Sequence, residues 1–103
     1  MIKKQFLKSK AVCKATFTLP KEAAPEAANV VLVGEFNDWN TVEGIEMTKL
    51  KNGSFKAVVE LESGKDYEFR YLIDGAQWEN DWEADNYVTT PFGVDNSVVS
   101  ALN

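Results

Sequence analysis

Histidine is missing from this 103-residue chain, and with it the side chain most used as general base and metal ligand near neutral pH. Cysteine occurs once, as Cys13. One thiol makes no intramolecular disulfide and no multi-cysteine zinc site, and it suits a reducing compartment. There is no glycine-rich phosphate loop, and no serine or cysteine nucleophile with a histidine partner. No apolar run approaches the length of a membrane span. The basic start, MIKKQFLKSKAV, lacks the apolar core of a signal peptide. These absences lead us to expect a soluble cytoplasmic protein with no cofactor, no metal and no membrane partner. They leave enzyme chemistry little to work with.

With 45% hydrophobic residues, the chain suits one compact domain spanning residues 1–103. Charge is unevenly placed: residues 1–21 hold six lysines and no acid, whereas the rest holds five bases against sixteen acids. An acidic body repels a phosphate backbone, so nucleic acid is not an expected partner. The basic arm, residues 1–10, reads as a solubilising and partly frayed terminus.

Apolar residues recur with period two between glycine-marked breaks about ten residues apart, the pattern of a small all-β sandwich. In AVCKATFTL, Ala11, Cys13, Ala15, Phe17 and Leu19 share one face. KEAAPEAAN (21–29) reads as a connecting loop because of Pro25, and VVLVG as a strand buried on both sides. Asn52-Gly53 marks a hairpin between EMTKL and SFKAVVEL. In YEFRYLID, Tyr67, Phe69, Tyr71 and Ile73 face one way, so Arg70 (the only arginine) faces the other. Asp74-Gly75 turns that strand over, and NYVTT and NSVVSAL close the fold. The architecture expected is an immunoglobulin-like β-sandwich of about seven strands.

The stretch DGAQWENDWEADNYV (74–88) gathers the candidate chemistry. Glu79, Asp81, Glu83 and Asp85 alternate, and same-face neighbours about 7 Å apart would meet the spacing of a glycosidase carboxylate pair. An exposed loop of a small domain has nothing to raise one carboxyl's pKa, so a solvated acidic face is the expectation. An EF-hand beginning at Asp81 fails, because Asn86 and Phe92 stand where glycine and glutamate are needed. The tryptophans Trp39, Trp78 and Trp82 all lie outside the clean strands. Such rings either show a face to a sugar, whose C–H patches suit aromatic surfaces, or staple loops to the core.

Three segments in order, VVLVGEFNDWN, YEFRYLIDGAQWEND and PFGVDNSVV, resemble the glycogen-binding domain of carbohydrate-binding module family 48. The resemblance covers about residues 29–101. That family includes the glycogen-binding domains of AMP-activated protein kinase beta subunits. It also includes the early-set N-terminal domains that precede catalytic barrels of glycoside hydrolase family 13. The chain looks most like small bacterial proteins made of this domain alone. The resemblance implies non-catalytic binding of α-1,4-linked glucan, with Trp39 and Trp78 as stacking platforms. It makes Arg70 and Asn96 hydroxyl partners and places Phe92 in the curve of the glucan. Arginine stands where lysine is usual, Phe92 replaces a smaller leucine, and Val94 stands where a hydroxyl residue is common. Trp82 stands where proline is frequent, and is read either as an added platform or, preferentially, as a loop anchor. The alternative function is docking to a glycogen-metabolism enzyme without sugar binding. A glycoside hydrolase label by similarity would not make this chain an enzyme, since the catalytic barrel is absent.

Overall fold

A computed structural model describes residues 2–102. Ten strands follow in order: β1 (Ile2–Phe6), β2 (Val12–Leu19), β3 (Val30–Gly34), β4 (Ile45–Glu46), β5 (Thr48–Lys49), β6 (Phe55–Glu62), β7 (Asp66–Ile73), β8 (Gln77–Glu79), β9 (Asn86–Thr89) and β10 (Asp95–Ser100). Seven of them have four residues or more, and there is no α-helix among the described residues, only two short 3₁₀ turns. One sheet runs β1-β2-β6-β5; the other runs β4-β3-β7-β10-β9, with β8 joined to β7. All pairings are antiparallel. The result is an all-β, immunoglobulin-like sandwich.

The alternation read from sequence decides which side chains fill the space between the sheets. From the first sheet come Cys13, Ala15, Phe17, Leu19, Phe55, Ala57 and Leu61; from the second come Val30, Leu32, Tyr67, Phe69, Tyr71, Ile73 and Val99. Phe69 forms the aromatic centre, edge-on to Phe17 at 5.0 Å and to Tyr71 at 5.7 Å. Such T-shaped pairs add to the area term that dominates core stability. Cys13 is wholly buried, and burial pushes its thiol pKa up.

The N-terminus differs from expectation. Residues 2–6 do not fray but pair along β2, Ile2 opposite Phe17 and Phe6 opposite Cys13. The physical reason lies in their own alternation. Ile2 and Phe6 pack against the core, and Lys4 between them reaches Asp85 at 2.6 Å. The hairpin at Asn52-Gly53 is present between β5 and β6, closed by the Leu50 amide on the Ser54 carbonyl at 2.7 Å. The 21–29 connection contains one 3₁₀ turn, Lys21–Ala23, and no helix.

Gly34 ends β3 where β7 comes closest. A Cβ there would lie 2.6 Å from the Glu68 carbonyl oxygen and 2.7 Å from the Phe69 Cβ. Only glycine permits this approach, which brings the next turn, residues 35–40, down onto the sheet.

Candidate functional site

The second sheet has an outer face as well as a core face. Val33, Leu72 and Val98 are buried yet lie outside the core cluster, because their side chains point away from the first sheet. Arg70 belongs to this outer row: it pairs with Val33, and Leu72 pairs with Trp78. The loop after β4's partner strand covers part of the row, for a Cβ on Gly44 would meet Val31 at 2.2 Å and Val33 at 3.3 Å.

Trp39 reaches the row through an unusual turn. The Trp39 amide donates to the Gly34 carbonyl at 2.9 Å and the Asp38 amide to the Glu35 carbonyl at 3.4 Å. This is the paired closure of a Schellman motif, with left-handed Asp38 where glycine is usual. Trp39 itself also has a positive φ of 56°. For a bulky residue that conformation costs roughly 1–2 kcal/mol; it persists where the surroundings overdetermine it, and it is enriched at functional sites. The surroundings here are specific. Asn37 accepts from the Gly34 amide and donates to the Leu32 carbonyl. Asn40 accepts from the Val42 and Glu43 amides. Phe36 staples the turn to Phe17 and Tyr67 at 6.0 and 6.3 Å.

Trp78 arrives from the other direction. The Asp74-Gly75 turn, both residues at positive φ, folds β8 back along β7. Asp74 is fixed by accepting from the Ala28 and Asn29 amides at 3.0 and 2.9 Å. Trp78 remains 39% exposed, whereas Trp39 is half-buried. Between the two rings sits Arg70, its guanidinium carbon 4.9 Å from the Trp78 centroid and 6.0 Å from that of Trp39. Cation–π contacts of this kind contribute about 0.5–2 kcal/mol depending on desolvation. Arg70 thus fixes the spacing of the two indoles.

The sheet divides at this residue. Pairing of β7 with β10 stops at Phe69, and pairing with β8 starts at Tyr71. Arg70 occupies the fork between the two departing strands. The next step of the β10 register brings Asn96 alongside it. Asn96 is buried and donates through Nδ2 to Glu68 Oε1 at 3.0 Å. Two buried polar atoms here have no hydrogen-bond partner within the protein, Arg70 Nε and Asn96 Oδ1. Arg70 forms no ion pair among the described residues, although the chain carries sixteen carboxylates. Unmade hydrogen bonds at buried groups are costly, so this arrangement is not a stability optimum.

Phe92 stands apart from this cluster. It lies at the β9–β10 turn, closed by the Thr90 amide on the Val94 carbonyl at 2.8 Å, and is 91% exposed. Of the five residues singled out from sequence, four converge around the fork. Phe92 shares only the same end of the sheet.

The acidic stretch divides differently from its expected reading. Asp81 is not solvated: it is 2% exposed. Its carboxylate accepts from the Tyr71 hydroxyl at 2.7 Å and the Glu83 amide at 2.8 Å, while its amide donates to Ser97 Oγ at 2.9 Å. Ser97 Oγ in turn donates to Asn80 Oδ1 at 2.8 Å. Burial, and then the charge and hydrogen bond of Asp81, push the Tyr71 phenol well above its usual pKa. The anchor of this loop is therefore a carboxylate. Trp82, expected to serve as that anchor, is 55% exposed. Nothing in a run of alternating acids marks the one that meets a core tyrosine. Among the described residues no cluster of histidine, cysteine or carboxylates is placed to hold a metal ion, and no helix is long and apolar enough to cross a membrane.

The distinctive surface of this all-β sandwich is an arginine held against two indoles. The family model for carbohydrate-binding module 48 (isoamylase N-terminal domain) matches residues 16–93, and the chain belongs to that family. The matched segment contains Trp39, Arg70, Trp78 and Phe92; Asn96 lies just beyond it. Family membership places the chain among carbohydrate-binding modules. A comparison with curated proteins found no match.

Proposed function

We propose that the protein binds α-1,4-linked glucan, of glycogen or starch type, without catalysing its hydrolysis, and that Trp39 and Trp78 are its stacking platforms. The observation that carries this reading is the Arg70 guanidinium lodged against both indoles, with no carboxylate partner among the described residues. Sugar rings offer C–H faces to indoles, and their hydroxyls accept from the arginine fork and exchange hydrogen bonds with Asn96. Phe92 adds an apolar contact from the neighbouring turn. Arginine in place of a lysine keeps the charge and adds a planar array of donors.

The affinity that such a site supports is modest. Two stacked rings give about 0.5–1.5 kcal/mol each beyond area burial. A few hydrogen bonds add about 1 kcal/mol net each, and association entropy opposes both. A dissociation constant of order 10⁻⁵ to 10⁻³ M follows. On a polymer, repeated sites raise the effective concentration and make that affinity useful.

Titration with maltoheptaose or β-cyclodextrin should perturb tryptophan fluorescence, and Trp78→Ala should abolish the response. An intact protein that ignores millimolar sugar would refute the proposal. The docking alternative makes the opposite prediction, retention by a separately encoded enzyme of glycogen metabolism with no glucan response.

A further inference from the structure

The outer face of the first sheet, on the far side of the sandwich from Arg70, gathers lysines around one threonine. Cys13, Ala15, Phe17 and Leu19 of β2 point into the core, so Lys14, Thr16 and Thr18 point outward. The register fixes their neighbours. Lys3 of β1 and Val58 of β6 stand directly opposite Thr16, and Lys56 stands diagonally to it, opposite Thr18. Opposed side chains on a sheet start about 4.5–5.5 Å apart and same-face residues of one strand about 7 Å apart. Three lysine side chains at that spacing reach one small ligand. Lys3, Lys14, Thr16, Lys56 and Val58 line a single cavity of about 340 Å³ that no carboxylate lines. Lys4 borders it too, but is engaged with Asp85. Lys3, Lys14 and Lys56 form no ion pair among the described residues, although Glu60 stands opposite Lys14. A second cavity, of about 380 Å³, shares Lys56 and Val58 with the first and continues to Ala57, Leu50 and Ile45. Val58 is 47% exposed and Leu50 38%, so apolar surface lies directly beside the three ammonium groups.

We propose that this groove binds a small phosphate monoester, with its phosphate held by Lys3, Lys14 and Lys56 and its apolar body lying along Val58 toward Leu50. Such a phosphate carries nearly two negative charges at neutral pH and three strong acceptor oxygens. Three lysines meet both demands, each as a compact charge with rotatable donors. The Thr16 hydroxyl supplies a further donor. Glu46 lines the apolar cavity, and so directs the charged end of the ligand to the lysines. The wider field agrees, since six lysines and no acid fall within residues 1–21 of an otherwise acidic chain, and such segregation draws an anion to this face. The groove and the glucan fork lie on the outer faces of different sheets, so the two sites are independent.

Phenyl phosphate is the probe, followed by the backbone amide resonances of Thr16 and Val58. Both should shift saturably, and more salt should weaken binding, because the contacts are exposed charges. Lys3→Gln, Lys14→Gln and Lys56→Gln should each weaken binding about two- to fivefold, the effect of one exposed ion pair. Lys51→Gln removes the same charge from a residue outside the groove and should change binding little. Inorganic phosphate should bind about three- to tenfold more weakly than phenyl phosphate, the share of a partly buried ring, and Val58→Ser should remove that difference. An unchanged melting temperature in each variant would show that the fold is intact. The proposal is refuted if phenyl phosphate at about 10 mM moves neither amide, or if Lys51→Gln weakens binding as much as the other three. Equal binding of the inorganic and phenyl forms refutes the monoester assignment. If vesicles containing phosphatidate shift these amides and phenyl phosphate does not, the site is refuted in favour of a membrane contact.

Discussion

Replacing Asp81 with alanine tests whether a buried carboxylate organises the β8–β9 loop. In the native protein it takes the Tyr71 hydroxyl and the Glu83 amide. Tyr71 is fully buried, so its hydroxyl has no access to water once the carboxylate is removed. A charge-assisted bond of this type contributes about 1.5–3 kcal/mol. The Glu83 amide lies nearer the surface and can recover water, so its loss counts for about 0.5–1 kcal/mol. Asp81→Ala should therefore destabilise the fold by about 2–4 kcal/mol, a large share of the 5–15 kcal/mol typical of small domains. Urea unfolding followed by circular dichroism measures it. Tyr71→Phe alone should cost less, and combining it with Asp81→Ala should recover about 1–2 kcal/mol relative to the sum, because no hydroxyl is then stranded. Strict additivity, or a cost for Asp81→Ala below about 1 kcal/mol, would refute the argument.

Arg70→Lys should weaken glucan binding about three- to tenfold, because the charge survives but the planar donor array between the rings does not. Arg70→Leu should weaken it further. Isothermal titration separates the two, and because the ligand is neutral the wild-type constant should not change between low and high salt. Alkaline pH should destabilise the fold in two stages. Burial raises the pKa of Cys13, Tyr67 and Tyr71, so each keeps its proton in the folded state after the unfolded chain has lost it. Stability is then complete below the unfolded values and falls as pH rises past them. The decline should begin near pH 8.5 for the thiol and steepen above about 10 for the tyrosines, at about 1.4 kcal/mol per pH unit for each group. Urea midpoints between pH 8 and 11 report both limbs, and Cys13→Ala should remove the first.

Much of the fold was legible because period-two patterning and turn chemistry act locally. The alternation of YEFRYLID placed Arg70 on the outer face, and Asp74-Gly75 predicted the return of β8 with Trp78 on it. What was not legible depended on partners distant in sequence. Asp81 is set apart from Glu79 and Glu83 by meeting a tyrosine ten residues upstream and a serine sixteen residues downstream. Ile2 and Phe6 form a strand only because β2 offers Phe17 and Cys13 opposite them. Trp82 read as an anchor because a loop tryptophan commonly is one, and the structure gives that role to its neighbour. That Trp39 and Trp78 come to lie on either side of one arginine was equally hidden, since Arg70 reaches a turn and a strand from β7.

The fork at Arg70 bears on how such a module changes over time. The residues around it come from three strands and from the turn after β3. Within the connection between β8 and β10, residues 80–89 are tied to the core through Asp81 and to β10 through β9, which leaves the exposed turn 90–94. That turn can lengthen, shorten or exchange aromatic residues such as Phe92 without shifting the register of β10 along the lower half of β7. The arginine stays fixed by β3 on its other side. Ligand length and shape can thus drift in one arm of the fork while the folding code in the other is left untouched.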